Sequence, residues 1–429
     1  MLPEIRTEGD LFSVPQFGIN KNNIKGFMEE LRGFHQEFRD CFSRSEPREN
    51  FFRYMTGQLS ELERKSIEPI AVQVKGAKVR PMQRTISEVI WDERKMLRKY
   101  HTMIAHDMGD PDGVLIFDES GFVKKGNYSI GVARQYCGTI GKVDNCQVGV
   151  FSAYASRHGY ALTDKRLFLP EEWFSEDYAE RRKKCRLPAG IQFQKKPQLA
   201  LEMLHEHTRE NTIPFKYIVS DPVYGNSPEF VEAIDSLIGK IYLVSIPFDT
   251  LCWLKEPLVI KKKYKYKGQI RTKRTVKDTA QKPISVATIA KNTNDYFWYR
   301  RTVSEGTKGR IEYEFTKRQV TISKNGLPWK SVWLIIKRTI GDHPTYSYYI
   351  SNASSSTRLK VFVWLSGMRW AIEQCFEETK TELGMDQYEV RKYPGWNHHI
   401  LSCMLSHFFL WHLKVKLGKK SSCSYCLAA

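Results

Sequence analysis

The sequence predicts a mixed α/β protein with a helical N-terminal region and a β-rich insertion. Three changes of pattern along the 429 residues lead to this prediction. The first hundred residues place apolar side chains at helical spacing, and the region after residue 112 alternates short apolar runs with helical stretches. Residues 250–350 then alternate β-branched or aromatic residues with charged ones. Strands that alternate with helices indicate a mixed sheet covered by helices.

The composition argues against a disordered tail and against a membrane protein. Hydrophobic residues make up 41% of the chain, which is enough to bury a core. The longest apolar run, 400–413, is interrupted by Ser and His and is shorter than the roughly 18 apolar residues that a transmembrane helix needs. We interpret it as a buried or amphipathic helix. The N-terminus lacks the continuous apolar segment of a secretory signal, so we expect a cytoplasmic protein.

The charge balance indicates a polyanionic partner. The chain has 67 Lys and Arg residues against 48 Asp and Glu, a formal net charge of +19. Basic side chains that neutralise phosphates release counterions, so this excess favours nucleic acid as the partner. Nine cysteines in a long chain without a secretory signal predict reduced thiols rather than a disulfide framework.

The first hundred residues predict a small helical domain. Thr85–Glu88 has the pattern of a capping box and is predicted to open a helix whose apolar series runs from Ile86 to Ile104. Basic residues from Arg48 to Arg84 surround this region. They suit either contacts with DNA phosphates or a solvated helical face.

Two apolar runs end in aspartate. Val114–Phe117 runs into Asp118, and Tyr217–Ser220 runs into Asp221. The carboxyl ends of strands face the functional crevice of an α/β sheet, so the two carboxylates can converge. Converging carboxylates need a cation between them, and hard oxygen ligands suit Mg²⁺ or Mn²⁺. Taken alone, each aspartate fits a turn or a helix cap better than a catalytic role.

A third acid stands in a predicted helix that runs from about Leu359 to Leu383. On this helix Arg369, Glu373 and residue 377 share one face, and Lys380 lies two turns beyond Glu373. A carboxylate between two cations on one stripe suits a site that holds a metal and a phosphate. Spacing alone favours the simpler interpretation, an exposed helix with ion pairs along its surface.

Four strings of residues resemble the DDE transposases of bacterial insertion sequences. They are Phe117–Gly126, Ala133–Val150, Leu167–Trp173 and Ser220–Gly225. The resemblance implies an RNase H-like core of the retroviral-integrase superfamily, interrupted by a β-rich insertion. It also implies that Asp118, Asp221 and Glu373 are the catalytic acids and that they hold two Mg²⁺ (or Mn²⁺) ions.

The resemblance and the changes of pattern together predict four regions. The N-terminal region 1–110 is expected to be a helical DNA-binding domain. The RNase H-like core is expected to comprise residues 111–250 and 353–429, the second part carrying the Glu373 helix, with the β-rich insertion at 251–352 between them.

Related transposases carry Tyr, Arg, Glu and Lys at a fixed spacing around the third acid. The same frame here selects Ser366, Arg369, Glu373 and Lys380. Ser366 therefore stands where relatives have the tyrosine, and the sequence leaves open whether a DNA hairpin intermediate that would use this tyrosine forms. Arg369 and Lys380 are expected to contact DNA phosphates.

Other basic residues are candidates for DNA contacts. Four of them, Lys124, Lys125, Arg134 and Lys142, lie close in sequence to Asp118. The stretch 261–274 contains eight Lys or Arg in fourteen residues and suits a β-ribbon or loop that follows the DNA backbone, or else a solvated turn. Its candidate contacts are Lys261, Lys262, Lys263, Lys265, Arg271, Lys273 and Arg274. Cys423 and Cys426 have metal-ligand spacing, but a lone pair of this kind is a weak signal for zinc.

The function expected from this combination is DNA transposition. The protein is expected to bind the terminal inverted repeats of an insertion sequence, cleave the element ends and transfer the 3′-hydroxyl ends into target DNA. Double-stranded DNA is the expected partner, a homodimer on DNA is the expected assembly, and no membrane is involved. Two alternatives remain at this point: a metal-dependent nuclease on the same core without strand transfer, and a non-catalytic DNA-binding derivative.

Overall fold

The computed structural model describes residues 21–267, 269–277, 282–306 and 309–425. The described chain divides into two compact units. Residues 21–215 and 370–425 form the first unit, and residues 216–369 form the second unit.

The first unit begins with five helices. They are α1 (Lys21–Gln36), α2 (Ser45–Gln58), α3 (Ile67–Gln73), α4 (Val79–Ser87) and α5 (Glu93–Met108). The predicted capping box at Thr85–Glu88 is wrong, because Thr85 lies in the last turn of α4 and its hydroxyl donates to the Pro81 carbonyl oxygen at 2.9 Å. Asp92 caps α5 instead, accepting from the backbone N–H of Lys95 at 2.9 Å.

Four antiparallel strands follow the helices. They are β1 (Val114–Val123), β2 (Ala133–Cys137), β3 (Lys142–Ser156) and β4 (Gly159–Phe168). The long strand β3 pairs with all three others. Two helices come next, α6 (Ala179–Lys184) and α7 (Lys196–Glu210). Helix α7 covers one face of this sheet, where Nε2 of His207 lies 3.1 Å from the hydroxyl of Ser152 on β3.

The second unit begins with a parallel pair of strands and continues with an antiparallel sheet. The pair is β5 (Tyr217–Ser220) and β6 (Ile241–Ile246), with α8 (Pro222–Gly225) and α9 (Pro228–Asp235) between them. The later strands are β7 (Leu251–Trp253), β8 (Val259–Tyr266), β9 (Gln269–Val276), β10 (Ile284–Ser285), β11 (Tyr299–Gly306), β12 (Gly309–Lys324), β13 (Leu327–Arg338) and β14 (Tyr346–Ser351). Helices α10 (Val286–Lys291) and α11 (Leu359–Met368) complete the unit.

The strands of the second unit form one sheet and one separate hairpin. The sheet has the order β10-β7-β12-β13-β14-β6-β5, with β11 paired to β12. Strands β8 and β9 pair only with each other in this arrangement and form a two-stranded ribbon.

The chain returns to the first unit through α12 (Trp370–Leu383) and α13 (Tyr393–Tyr425). Both helices lie on the sheet face opposite α7, where the ring of Phe151 on β3 packs 5.1 Å from that of Phe376 on α12. The N-terminal helices pack on α13, and the Tyr54 hydroxyl lies 2.8 Å from Nδ1 of His399. Among the described residues, no helix has the length and apolar character needed to cross a membrane.

The predicted fold class is confirmed: the chain is a mixed α/β protein with an RNase H-like core. The predicted single helix from Leu359 to Leu383 is instead two helices, α11 and α12, with a break at Arg369. A continuous helical pattern in the sequence does not mark such a break.

Candidate active site

Asp118 lies inside strand β1 and not at its end. The apolar run stops at Phe117, but the strand continues to Val123 because β1 pairs with β3 along its whole length, from Val114 opposite Ala155 to Val123 opposite Cys146. The prediction that Asp118 terminates the strand is therefore wrong. Its side chain is buried, and Oδ1 accepts a hydrogen bond from the backbone N–H of Glu119 at 2.8 Å.

The register of β1 decides which of two neighbouring acids points towards α12. Asp118 is directly opposite Phe151, so the two side chains share a face of the sheet. Phe151 packs on Phe376 of α12, which places Asp118 on the face that α12 covers. Glu119 points to the other face, where its carboxylate forms an ion pair of 2.7 Å with Lys196 of α7.

Glu373 lies in the first turn of α12 with its side chain exposed. Farther along the same helix, the ammonium of Lys380 donates to the carbonyl oxygen of Gly121 on β1 at 3.0 Å and to the Thr139 hydroxyl at 2.9 Å. Burial lowers the pKa of Lys380 from its ordinary value. Lys380 therefore fastens the Glu373 helix to the strand that carries Asp118.

A second set of contacts holds α12 from the side of β4 and α13. The carboxylate of Glu378 accepts from the Tyr160 hydroxyl at 2.7 Å and from the Gln374 amide at 3.0 Å, and it lies 2.6 Å from Nε2 of His407. Sequence reasoning missed this network. The i, i+4 spacing of Gln374 and Glu378 was a usable signal, but the partners on β4 and α13 are far away in sequence.

Asp221 follows β5 directly, as predicted, and it also caps helix α8. Its Oδ1 accepts from the backbone N–H groups of Val223 at 3.0 Å and Tyr224 at 3.4 Å. Pro222 occupies the first helical position, where a missing N–H costs nothing. A Cβ on Gly225 would lie 1.8 Å from the carbonyl oxygen of Ser245, so α8 packs against β6 at a distance that only glycine permits. Packing and capping together fix the backbone at Asp221.

The three acids are divided between the units. Asp118 and Glu373 belong to the first unit and Asp221 to the second. Within either unit, the described residues include no group of three or more His, Cys, Asp or Glu side chains close enough together to hold a metal ion. The chemistry of the three donors fits Mg²⁺ or Mn²⁺, because carboxylate oxygens are hard ligands that these ions prefer.

The four basic residues near Asp118 in sequence occupy different environments. The Lys124 ammonium donates to the Tyr388 carbonyl oxygen at 3.0 Å and lies 3.3 Å from the centre of the Tyr388 ring, and burial lowers its pKa to about 8. Lys125 and Arg134 are exposed. Lys142 is also exposed and forms an ion pair of 3.6 Å with Asp144.

The basic stretch 261–274 is the exposed ribbon of β8 and β9. Lys261 is directly opposite Arg274, and Lys262 is opposite Lys273, so like charges face each other. The other candidate contacts, Lys263, Lys265 and Arg271, are exposed as well.

The frame around the third acid spans the junction of α11 and α12. Arg369 stands between the two helices with helical dihedral angles, φ −59° and ψ −31°. Ser366 is buried in α11, and its hydroxyl donates to the Val363 carbonyl oxygen at 2.7 Å. Ser366 therefore satisfies its hydrogen bond within its own helix. The Cys423 and Cys426 side chains lie outside the residues whose side chains the structure describes.

The chain belongs to the DDE superfamily of endonucleases, whose sequence profile matches residues 37–310. The matched region contains Asp118 and Asp221 and ends before Glu373. The chain is also 24% identical over 347 residues to a probable transposase for insertion sequence element IS701 from Microchaete diplosiphon, a match that covers 80% of this chain and 77% of the relative. The resemblance to DDE transposases of insertion sequences is thereby confirmed.

Proposed function

We propose that this protein is a DNA transposase that cleaves the ends of an insertion sequence and joins the resulting 3′-hydroxyl ends to target DNA. The observation that carries the proposal is the placement of Asp118 on the sheet face covered by the helix of Glu373, while the adjacent Glu119 points to the opposite face. Membership of the DDE endonuclease family and the similarity to an insertion-sequence transposase support it.

Asp118, Asp221 and Glu373 are the proposed ligands of two Mg²⁺ or Mn²⁺ ions. Bound ions of this kind lower the pKa of the attacking hydroxyl and neutralise charge on the phosphodiester. The protein's own contribution is to fix the carboxylates. The pairing of β1 with β3 holds Asp118, the cap of α8 holds Asp221, and Lys380 and Glu378 hold the helix of Glu373.

Two regions of the chain that carry basic residues are the proposed DNA-binding parts. We propose that the N-terminal region 1–110 and the β-rich insertion 251–352 recognise and clamp the terminal inverted repeats. The ribbon of β8 and β9, with exposed cations along both strands, suits phosphate contacts. Two element ends must be brought together for transposition, so a homodimer on DNA at the nucleoid, in the cytoplasm, is the proposed assembly.

The test is Mg²⁺-dependent cleavage and joining of a DNA fragment that carries the element's own end. Wild type, Glu373→Gln and the matched control Glu377→Gln are compared, since Glu377 is also exposed and lies one turn farther along the same helix. We expect wild type and Glu377→Gln to cleave and join the fragment. Glu373→Gln should bind it without cleaving it.

Two other outcomes would replace the proposal. Cleavage without joining by the wild type would identify a nuclease on the same core. Specific binding without chemistry in any of the three proteins would identify a DNA-binding derivative of a transposase.

A further inference from the structure

The hairpin of β2 and β3 ends in a turn that is bonded to both β1 and α12. The Thr139 hydroxyl in this turn donates to the carbonyl oxygen of Gly121 at 2.9 Å, and the Lys380 ammonium contacts both groups. Gly121 lies three residues beyond Asp118 on β1, which corresponds to about 10 Å at the rise of an extended strand. The turn is therefore fixed about 10 Å from Asp118 along the strand.

This hairpin exposes apolar side chains that a folded protein normally covers. Tyr136 on β2 is 57% exposed and Val143 on β3 is 55% exposed, and the two are directly opposite each other in the register. Ile140 in the turn is 38% exposed. An aromatic and a β-branched residue in this arrangement form a contiguous apolar surface, and such surfaces mark interaction sites.

The hairpin folds back towards β1. Gly121 is opposite Val148 on β3 and Cys137 is opposite Lys142, six residues away, yet a Cβ on Gly121 would lie 2.5 Å from Sγ of Cys137. The strand β3 therefore bends between these positions, and the bend brings the hairpin beside the segment of β1 that follows Asp118.

Basic side chains surround the apolar pair. Arg134 lies two residues before Tyr136 and thus on the same face, and its side chain is exposed. Lys125 and Lys142 are exposed nearby in sequence, although Lys142 has Asp144 as a partner. An apolar centre with a cationic rim matches duplex DNA, because apolar side chains contact sugars and bases while cations contact phosphates.

We infer that the β2–β3 hairpin is a DNA-binding element that contacts the duplex beside the cleaved phosphodiester. The inference rests on the proposed function and adds the position and chemistry of one contact. Tyr136 and Val143 pack against sugars and bases of that duplex, and Arg134 contacts a neighbouring phosphate.

The experiment uses end fragments in which 2-aminopurine replaces single bases near the cleavage position, without Mg²⁺ so that the DNA stays intact. Wild type is compared with the double variant Tyr136→Ser/Val143→Ser. The control is Ile238→Ser, because Ile238 is 99% exposed and lies in the second unit, away from the hairpin in the sequence. Fluorescence, end affinity and melting temperature are measured for each protein.

We expect wild type and the control to change the fluorescence of 2-aminopurine at bases beside the cleavage position. The double variant should lose most of this change and bind the end roughly five- to tenfold more weakly, as removal of an aromatic contact with a base does. Its melting temperature should match that of wild type, because both replaced side chains are exposed.

Unchanged fluorescence and affinity in the double variant would overturn the inference. Loss of a dimer on sedimentation with unchanged fluorescence would overturn it in favour of a surface for a second copy of the chain. A wild type that neither binds nor cleaves the end fragment would contradict the proposed function itself, so the two failures are distinguishable.

Discussion

Lys380 of α12 donates a hydrogen bond to the carbonyl oxygen of Gly121 on β1 at 3.0 Å. The same ammonium donates to the Thr139 hydroxyl, and burial lowers its pKa. A lysine that serves only as a phosphate ligand has no need of two protein acceptors. Through these hydrogen bonds, Lys380 holds the helix of Glu373 against the strand of Asp118.

Replacement of Lys380 by Met should lower both stability and cleavage. Two acceptors would lose a charged donor, and hydrogen bonds to charged groups contribute about 1.5–3 kcal/mol. We expect a loss of that size in the free energy of unfolding, measured by urea denaturation, and a larger fall in the rate of end cleavage than in end affinity. Lys183→Met, at an exposed position of α6, is the control. Unchanged stability with a reduced salt dependence of binding would show that Lys380 acts only on DNA.

Asp118 and Glu119 should differ sharply as sites of substitution, because they point to opposite faces of the sheet. Asp118→Asn should reduce end cleavage by roughly 100- to 1,000-fold, since a metal ligand supports several kcal/mol of transition-state stabilisation. End affinity should stay close to that of wild type. Glu119→Gln should retain cleavage and lose only the ion pair with Lys196. Equal loss of activity in both variants would contradict the assignment, and so would loss of binding in Asp118→Asn.

The ribbon of β8 and β9 should contribute to the salt dependence of DNA binding. Lys261 and Lys263 lie two residues apart on one face of β8, and each phosphate contact contributes about 0.9 to the slope of log affinity against log salt. Lys261→Gln/Lys263→Gln should therefore reduce that slope by roughly 1.8. The variant should fold normally, because the loss of charge at Lys261 relieves repulsion with Arg274.

Lys183→Gln/Lys184→Gln, at two exposed positions of α6, is the matched control. An identical slope in the ribbon variant and wild type would exclude the ribbon from the interface.

Local patterns were sufficient to predict much of the core. The strand before Asp221 lies where its short apolar run places it, and strands and helices alternate after residue 112 as the pattern of the sequence predicts. These elements carry local patterns of apolar residues, which the sequence displays directly. The basic stretch 261–274 suited a β-ribbon, a loop or a solvated turn, and the structure shows the first of these.

Features that depend on distant partners could not be predicted from the sequence. β1 extends past Asp118 because β3 supplies a pairing partner for each residue, and that partner begins more than twenty positions later. The fastening of Lys380 to Gly121 and the contact of Glu378 with His407 join segments whose proximity only the fold creates. The division of α4 from α5 depends on a polar cap at Asp92 within an otherwise periodic apolar series.

Mild acid should destabilise the first unit through His399. This residue is buried and neutral, with the Tyr54 hydroxyl donating to Nδ1 at 2.8 Å and Nε2–H donating to the Met385 carbonyl oxygen at 3.1 Å, and burial lowers its pKa to about 3. Below the unfolded value of 6.5 the unfolded chain binds a proton that the folded chain does not. Stability is therefore lost as the pH falls from 6.5 towards 3, by about 1.4 kcal/mol per pH unit for this one group. Urea denaturation should show a steeper loss for wild type than for His399→Gln, by about 0.7 kcal/mol between pH 7 and 6 and about 1.2 kcal/mol between pH 6 and 5. The exposed His205→Gln should keep the wild-type slope, and an equally steep slope in His399→Gln would contradict the prediction.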